Sequence, residues 1–312
     1  MVHQLSLVSS IPHSKYVQTI STLQAMTGLL RPQPISTYTL VTKPTYVFKP
    51  KFEPGKVNQI EQYYMKCITT WDDDSGRNLD IAKPIIGADE NSIVLVDRLF
   101  SGNEEVERTW TLQISDIPIA GKNQVCSAQT IYESTLIHVH ARINEEQAPS
   151  PPPAEPPVPE SKEDIEMKDN EDTTMTKGSS NISNDPDLVG RKDSFLLFLD
   201  NLGYGVVNQY WIKGIRFFHG DIVIEIFKIF IRDDSHAAAA QEQQHQKIKL
   251  KLLDESNTFQ IRTYINIPKS TDIEQISQGS KELLKLQDFL KNLFKLEIPD
   301  RMFMDSRVPL KR

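Results

Sequence analysis

Three short stretches of the sequence carry side chains whose types and spacing could perform chemistry. The apolar run GDIVIEIFKIFI contains Glu225 and Lys228, a carboxylate and an ammonium that together could act on a phosphate ester. His138 and His140 form a His-Val-His pair, and two imidazoles at this spacing on a strand could begin a metal site. The stretch WDDDSG carries contiguous aspartates whose oxygens suit calcium. Each of these possible sites needs further side chains, so the residues around it determine whether the site can form.

The surroundings of Glu225 and Lys228 do not complete a catalytic strand. Metal-dependent β-barrel phosphohydrolases place Glu-x-Glu-x-Lys on a strand, because alternate residues share one face and can present two carboxylates and a lysine together. Here Phe227 and Ile229 occupy the face of Glu225, whereas Lys228 lies on the opposite face. We therefore expect both charges to face solvent or the rim of a mostly buried strand.

The histidine pair lacks a third metal ligand. His219 lies in a turn, and His236 and His245 lie in a polar tract. We therefore expect His138 and His140 to bind no metal, and either to lie on a polar sheet face or to have satisfied hydrogen bonds.

The remaining motifs also favour binding or scaffolding over catalysis. Calcium loops take ligands at alternating positions and end in a bidentate Glu at the twelfth, whereas Asp72, Asp73 and Asp74 are contiguous and the twelfth residue is Lys83. We expect a solvated turn there. The GYG stretch at residues 203–205 indicates a helix end, and no G-x-S-x-G marks a nucleophile. No cofactor is expected.

Negative charge is concentrated in one segment of the 312-residue chain. Residues 145–187 hold twelve acidic and three basic residues and eight of the nineteen prolines. The rest carries 32 basic and 30 acidic residues, so the folded part is close to neutral. Nucleic-acid-binding domains need a concentrated basic face that displaces counterions from phosphates. We therefore expect no direct binding to nucleic acid.

The cysteines and the N-terminal sequence indicate a soluble intracellular protein. Cys67 and Cys126 are far apart and have no C-x-x-C neighbour, which is typical of a reducing compartment without a disulfide framework or zinc ribbon. The first residues, MVHQLSLVSSIPHSK, lack the basic and apolar regions of a signal peptide. No apolar run approaches the ~20 residues that span a bilayer, so we expect no membrane partner.

Period-two alternation dominates outside the acidic segment. About eleven runs are rich in β-branched and aromatic residues with polar alternation. A His-Gly-Asp turn between Phe218 and Ile222 predicts a hairpin, because glycine accepts a positive φ. The predicted fold class is all-β, an antiparallel many-stranded β-barrel with two or three peripheral α-helices.

Helical patterns are few. One runs from Ser14 to Gly28 and a shorter one from residue 194 to residue 201. The longest runs from Thr271 to about Leu296 with an apolar stripe, and it opens on a capping box formed by Thr271 and Glu274.

We expect one domain interrupted by low-complexity segments. Residues 1–144 form the first part of the β-barrel domain, and residues 193–312 form the second part with the C-terminal helix. Residues 145–192 form a disordered acidic, proline-rich insertion, because their composition buries too little apolar surface to offset the entropy of ordering. Residues 233–246, DDSHAAAAQEQQHQ, form a flexible loop.

Several sequence blocks resemble the subunit 18 family of the yeast Mediator head module. They are WTLQISDIP, then LGYGVVNQYWIKGIRFFHGDIVIEIFKIF, then TYINIPKSTDIEQI followed by PDRMFMDSRV. The N-terminal MVHQLSLVSSI and the helix ISTLQAMTG are also similar to that family. The resemblance covers most of the folded part and leaves out residues 44–91 and both low-complexity segments.

This resemblance implies a non-catalytic, nuclear role in transcription. It implies a barrel that forms a heterodimer with Mediator subunit 20, is tethered by a helix of Mediator subunit 8, and conveys regulatory signals to RNA polymerase II. The family's barrel is similar in shape to the fungal RNA triphosphatases. A metal-dependent phosphohydrolase is therefore the alternative function.

Four apolar residues at the margins of the fold are the candidate partner-binding residues. Ile20 and Leu23 lie on the first helix, and Met302 and Phe303 lie in an otherwise polar tail. Interface anchors are often aromatic residues or Met. Ordinary core packing is the alternative role for all four residues.

Overall fold

The computed structural model describes residues 1–46, 61–71, 80–85, 94–97, 99, 106–119, 124–144, 191–233 and 247–309. The strands in these residues are β1 (Val2–Ile11), β2 (Gln33–Pro44), β3 (Met65–Thr70), β4 (Val94–Asp97), β5 (Val106–Ser115), β6 (Ser127–His140), β7 (Arg142–Asn144), β8 (Arg191–Asp193), β9 (Tyr204–His219), β10 (Ile222–Arg232), β11 (Lys247–Leu252) and β12 (Phe259–Ile267). The helices are α1 (Tyr16–Thr27), α2 (Ser194–Asn201), α3 (Ile273–Leu290) and α4 (Arg301–Met304), and a 3-10 turn (His13–Lys15) precedes α1.

Eight of the strands close into a ring. Their order is β12-β1-β6-β5-β3-β2-β9-β10, and β10 pairs back onto β12. Each of these pairings is antiparallel. Near its C-terminal end β10 pairs with β11, and Phe230 lies opposite Leu252. β4 pairs with β11 and extends the sheet by one more strand. The predicted antiparallel β-barrel with few helices is confirmed.

Alternation along the strands gives the ring an inner face and an outer face. Met65 and Cys67 of β3 pack in the buried cluster that includes Phe195 of α2, so Lys66 between them points to the other face. Ile261 of β12 packs in the buried cluster that includes Leu283 of α3, so Arg262 also points to the other face. Because helices cover the first face, Lys66 and Arg262 face the interior of the ring, where burial and the Arg262 guanidinium lower the pKa of Lys66. Residues directly opposite each other in an antiparallel pair share a face. Glu225 lies opposite both Arg262 and Arg216, so these residues also face the interior.

The outer face carries the apolar cores and the helices. One cluster of buried side chains joins Leu5 of β1 to Leu23 of α1 and Leu283 of α3. A second cluster joins Trp110 of β5 to Phe195 of α2. Each fully buried large apolar side chain contributes about 1.5–3 kcal/mol. The three longer helices therefore pack on the outside of the barrel, and none of the described helices has the length and apolar character of a membrane-crossing segment.

The ends of α3 differ from those predicted. Asp272 caps the helix by accepting a hydrogen bond from the backbone N–H of Gln275 at 3.0 Å. Thr271 was expected in this role, but the Asp272 carboxylate also interacts favourably with the positive end of the helix dipole. The helix ends at Leu290 rather than near Leu296.

Two glycines allow the close geometry of β9 and β10. The strands form the predicted hairpin, and Gly220 in its turn has a φ of 57°, a left-handed conformation that favours glycine. Gly214 lies opposite Phe227, and a Cβ atom added at Gly214 would come within 2.5 Å of the Phe227 Cβ. The hairpin therefore favours glycine at position 220 and requires it at position 214.

A short ladder joins the chain on the two sides of the predicted insertion. β7 and β8 are antiparallel, and Asn144 lies opposite Arg191. Residues 145–190 lie outside the described residues, as do residues 234–246 of the second predicted loop and the aspartates at 72–74. The last residues of the predicted insertion, 191 and 192, belong to β8.

Candidate functional site

Glu225 lies on the inner face of β10 and is only 3% exposed, so the prediction that it faces solvent is wrong. Arg216 donates from Nε and Nη2 to Oε1 at 2.9 and 2.6 Å. Arg262 donates from Nε and Nη2 to Oε2 at 3.1 and 2.7 Å. The Tyr264 hydroxyl donates to Oε1 at 3.2 Å. These bonds compensate the burial of the carboxylate, because hydrogen bonds to charged partners are the strongest in proteins.

The partners of Glu225 keep it ionised. Burial raises the pKa of the carboxyl, but the Arg262 and Arg216 guanidiniums together hold it below the ordinary value of 4.5. Both oxygens already accept hydrogen bonds from these cations. To bind a metal ion, the carboxylate would have to release at least one guanidinium, so the local geometry does not favour the phosphohydrolase alternative.

Lys228 lies on the opposite face, as predicted, but it is only 1% exposed, so the expected contact with solvent is wrong. Its Nζ donates to Asn257 Oδ1 at 3.0 Å and lies 3.3 Å from His13 Nδ1. It also lies 4.4 Å from the centroid of the Phe259 ring, a cation–π contact. Burial lowers the pKa of Lys228 to about 8. This lysine therefore joins β10 to the 3-10 turn and to β12.

His138 and His140 connect β6 to the start of α2. The Trp110 Nε1–H donates to His140 Nε2 at 3.0 Å, so His140 Nδ1 carries the proton that it donates to Asp193 Oδ1 at 3.1 Å. His138 Nε2 lies 2.9 Å from Ser194 Oγ. The predicted hydrogen bonds of both histidines are confirmed. The described residues contain no group of three or more His, Cys, Asp or Glu side chains placed to hold a metal ion.

The four predicted partner-binding residues lie in different environments. Met302 and Phe303 of α4 are 82% and 90% exposed. Ile20 is half-buried against the core cluster that includes α1 and α3. Leu23 is fully buried in that cluster and presents no side-chain surface to a partner. Exposure therefore distinguishes the two α4 residues from the two α1 residues.

The segment that carries Met302 and Phe303 is fixed to the barrel on both sides. Before them, Arg301 Nε donates to the backbone oxygen of Pro118 at 2.9 Å. After them, the backbone oxygen of Met304 accepts a hydrogen bond from Gln129 Nε2 at 3.2 Å. The two exposed side chains thus project from an anchored turn.

Further contacts hold the residues that follow α4. The backbone N–H of Tyr64 donates to the oxygen of Ser306 at 2.8 Å. Arg307 forms ion pairs with Asp305 at 2.5 Å and with Glu61 at 3.0 Å. Most of these contacts join residues that are more than 170 positions apart in sequence. No local sequence pattern could have predicted them.

Comparisons with known proteins agree with this fold. A family model described as Med18 protein matches residues 3–307. A relative from Debaryomyces hansenii, named Mediator of RNA polymerase II transcription subunit 18, is 57% identical over 349 residues, and the alignment covers 100% of both chains. A relative of the same name from Scheffersomyces stipitis is 56% identical over 361 residues, again with 100% of both chains covered.

A solved structure also matches. A chain from the structure of the Schizosaccharomyces pombe Mediator head module has a similar fold, with a TM-score of 0.52 and 14% sequence identity, and the match covers 95% of this chain and 98% of that one. The family model spans nearly the whole chain, and the two relatives align over their full lengths. The chain therefore belongs to the Med18 protein family.

Proposed function

We propose that the chain is a non-catalytic subunit of the Mediator head module and acts in the nucleus as an interaction scaffold in transcription by RNA polymerase II. Its family membership and the names of its relatives support this role. The observation that carries the proposal is the exposure of Met302 and Phe303 on a turn that is anchored to the barrel.

An anchored apolar pair suits a partner interface. Interface anchors are enriched in aromatic residues and Met, and they bury a large apolar area. A turn that is already fixed loses little conformational entropy when a partner binds. In this proposal the chain forms a heterodimer with Mediator subunit 20 and is tethered by a helix of Mediator subunit 8. Met302 and Phe303 contact one of these subunits, and the exposed part of Ile20 contributes at the edge.

Co-purification tests the assembly. Tagged chain recovered from nuclear extract should bring the other head subunits with it in stoichiometric amounts. Recovery of the chain alone would contradict the proposal.

Paired variants test the contact surface. The double variant Met302→Ser, Phe303→Ser should reduce the recovery of head subunits at least tenfold, about the effect expected from losing two anchors. The matched control is Ile273→Ser, Phe289→Ser, which removes two exposed apolar side chains from α3. The control should recover the subunits normally. Equal recovery with both variants would exclude the α4 pair as the contact.

The same preparation tests for catalysis. Incubation with nucleoside triphosphates and manganese should release no phosphate above background, because Glu225 is engaged by two guanidiniums. Phosphate release that is lost in folded Glu225→Gln would support the metal-dependent phosphohydrolase instead.

A further inference from the structure

Basic side chains converge inside the barrel from three different walls. Lys66 reaches inward from β3, Arg216 from β9 and Arg262 from β12. Two tyrosines lie beside them. The Arg262 guanidinium carbon lies 5.0 Å from the centroid of the Tyr264 ring. Tyr210 lies on the same face of β9 as Arg216, and burial raises the pKa of its hydroxyl.

Carboxylates do not balance these charges locally. Glu225 binds both arginines, so it offsets one of their two charges. Within the described part of the chain, Lys66 forms no ion pair. Among the described residues, Asp254 lies at the cavity beside Arg262, where the backbone N–H of Ser256 donates to it. Glu133, two strands from Lys66 on β6, is exposed and accepts a hydrogen bond from Gln113 at 2.7 Å. Counted over the described residues, the centre of the barrel therefore carries surplus positive charge.

Hydrogen-bond donors remain available on this surplus charge. Each guanidinium directs Nε and Nη2 to Glu225. Among the described residues, neither Nη1 group has a hydrogen-bond acceptor. The Arg216 and Arg262 side chains remain 31% and 46% exposed although they lie inside the ring. Solvent therefore reaches these donors, and so can a small ion.

An opening leads to Arg262. A cavity of about 300 Å³ lies where β10 separates from β12, and it is lined by Val8, Phe227, Gln260 and Arg262, among others. Val8 lies opposite Arg262, and Phe227 lies opposite Gln260, so these residues belong to the inner face. Lys228, Ile261 and Asp254 also line the cavity, so it connects the inner face beside Arg262 with the gap between β10 and β12. Its volume is at the lower end of the ~300–1,000 Å³ range of ligand pockets.

The arrangement of donors suits a phosphate better than a carboxylate. Guanidinium groups bind phosphate oxygens through paired N–H donors, and an ammonium binds them as a point charge. A phosphate presents oxygens in several directions and can contact donors on three walls, whereas a single carboxylate is planar with two oxygens. A polyvalent phosphate would also neutralise more than one surplus charge.

We propose that the barrel interior binds a small polyvalent phosphate, held by Lys66 and by the Nη1 donors of Arg216 and Arg262. The ligand enters through the opening beside Arg262 and joins three walls of the barrel. This site does not depend on the proposed role in Mediator.

Calorimetry with inorganic tripolyphosphate at low ionic strength tests the proposal. The wild-type chain should bind, and Lys66→Met should bind about tenfold more weakly, as expected for the loss of one charge-assisted contact. Lys66→Met keeps the length of the side chain and removes a charge that has no ion-pair partner, so it should fold. Thermal unfolding checks this, and tripolyphosphate should raise the unfolding temperature of the wild type.

The matched control is Lys213→Met. Lys213 lies on the outer face of β9, where its ammonium is 5.3 Å from the centroid of the Trp71 ring. Its tripolyphosphate affinity should stay within twofold of the wild type. No binding at millimolar tripolyphosphate, or equal weakening in both variants, would overturn the proposal. Equal affinity for citrate would also overturn it, because general attraction of anions would then suffice.

Discussion

Arg216 and Glu225 lie directly opposite each other on the β9–β10 hairpin, with Nη2 2.6 Å from Oε1. The other oxygen of the same carboxylate binds Arg262 of β12. One side chain thereby joins three strands, and it does so at the β10–β12 pairing that closes the ring. An ion-pair network at this seam should contribute to the stability of the whole barrel.

Replacing Glu225 with Gln should destabilise the fold by about 2–3 kcal/mol. Removing one partner of a buried ion pair commonly costs about 3–5 kcal/mol, and the partial exposure of both arginines reduces this figure. Urea unfolding of purified variants gives the comparison. Glu133→Gln is the control, since Glu133 is exposed, and it should change stability by less than about 0.5 kcal/mol. Equal effects of the two variants would contradict the assignment.

Acid should weaken the wild type more than Glu225→Gln. The pKa of Glu225 is lower in the folded chain than its ordinary value of 4.5, so the unfolded chain binds the proton more readily. The stabilisation is present above pH 4.5 and is lost as the pH falls through the folded pKa. Urea unfolding between pH 6 and pH 3 should therefore show a steeper loss in the wild type. Parallel pH profiles would exclude this effect.

Alkaline pH should stabilise the wild type through Lys228. Burial lowers the pKa of this ammonium from 10.5 to about 8, so between these values the unfolded chain binds more protons and stability rises with pH. We expect a gain of about 1–3 kcal/mol between pH 7.5 and pH 10. Lys228→Met should lose the contribution of Lys228 and keep the smaller one from Lys66, whose pKa burial also lowers, whereas Lys269→Met, at an exposed site, should retain the full gain. Unfolding midpoints of the wild type and the two variants, measured at pH 7.5 and pH 10, test this prediction.

Asp193→Ala should destabilise the fold more than Asp272→Ala. Both carboxylates cap a helix, but Asp193 is buried and also accepts a hydrogen bond from His140. Loss of a cap costs about 1 kcal/mol, and leaving a buried donor unsatisfied adds about 1–3 kcal/mol. Chemical denaturation of the two variants measures the difference. Equal losses would show that the bond to His140 contributes nothing.

Deleting residues 145–187 should change stability by less than about 1 kcal/mol. The β7–β8 ladder already holds residues 144 and 191 opposite each other, so the remaining chain needs only a short connection. Loop closure depends weakly on loop length. Thermal unfolding of the deletion variant gives the test, and a larger loss would mean that the deleted residues pack against the barrel.

Local sequence patterns predicted the faces of the barrel strands but not their environment. Alternation correctly placed Glu225 and Lys228 on opposite faces of β10. It could not show that ring closure encloses the first residue, because Arg262 is 37 positions away in sequence. It could not show that the 3-10 turn covers the second, because His13 is 215 positions away.

The sequence also predicted the candidate partner-binding and ligand-binding residues only in part. The tail residues Met302 and Phe303 were found from composition alone, since two large apolar side chains in a polar segment are conspicuous. Leu23 belongs to an equally apolar stripe, and only its contacts with the core distinguish it from a surface residue. The interior cluster was not predictable from the sequence, because Lys66 and Arg262 lie on strands with ordinary alternation and face each other only across the closed ring.

The pairing of β1 with β12 has a consequence for the synthesis of the chain on the ribosome. His3 of β1 lies opposite Ile267 of β12. The ribosome must therefore synthesise most of the chain before β12 is available to pair with β1. Until then β1 can pair only with β6 and leaves one edge open. Contacts between residues so distant in sequence form slowly, and an open edge can pair with other chains. Newly made chains should therefore aggregate most readily just before their last strand emerges.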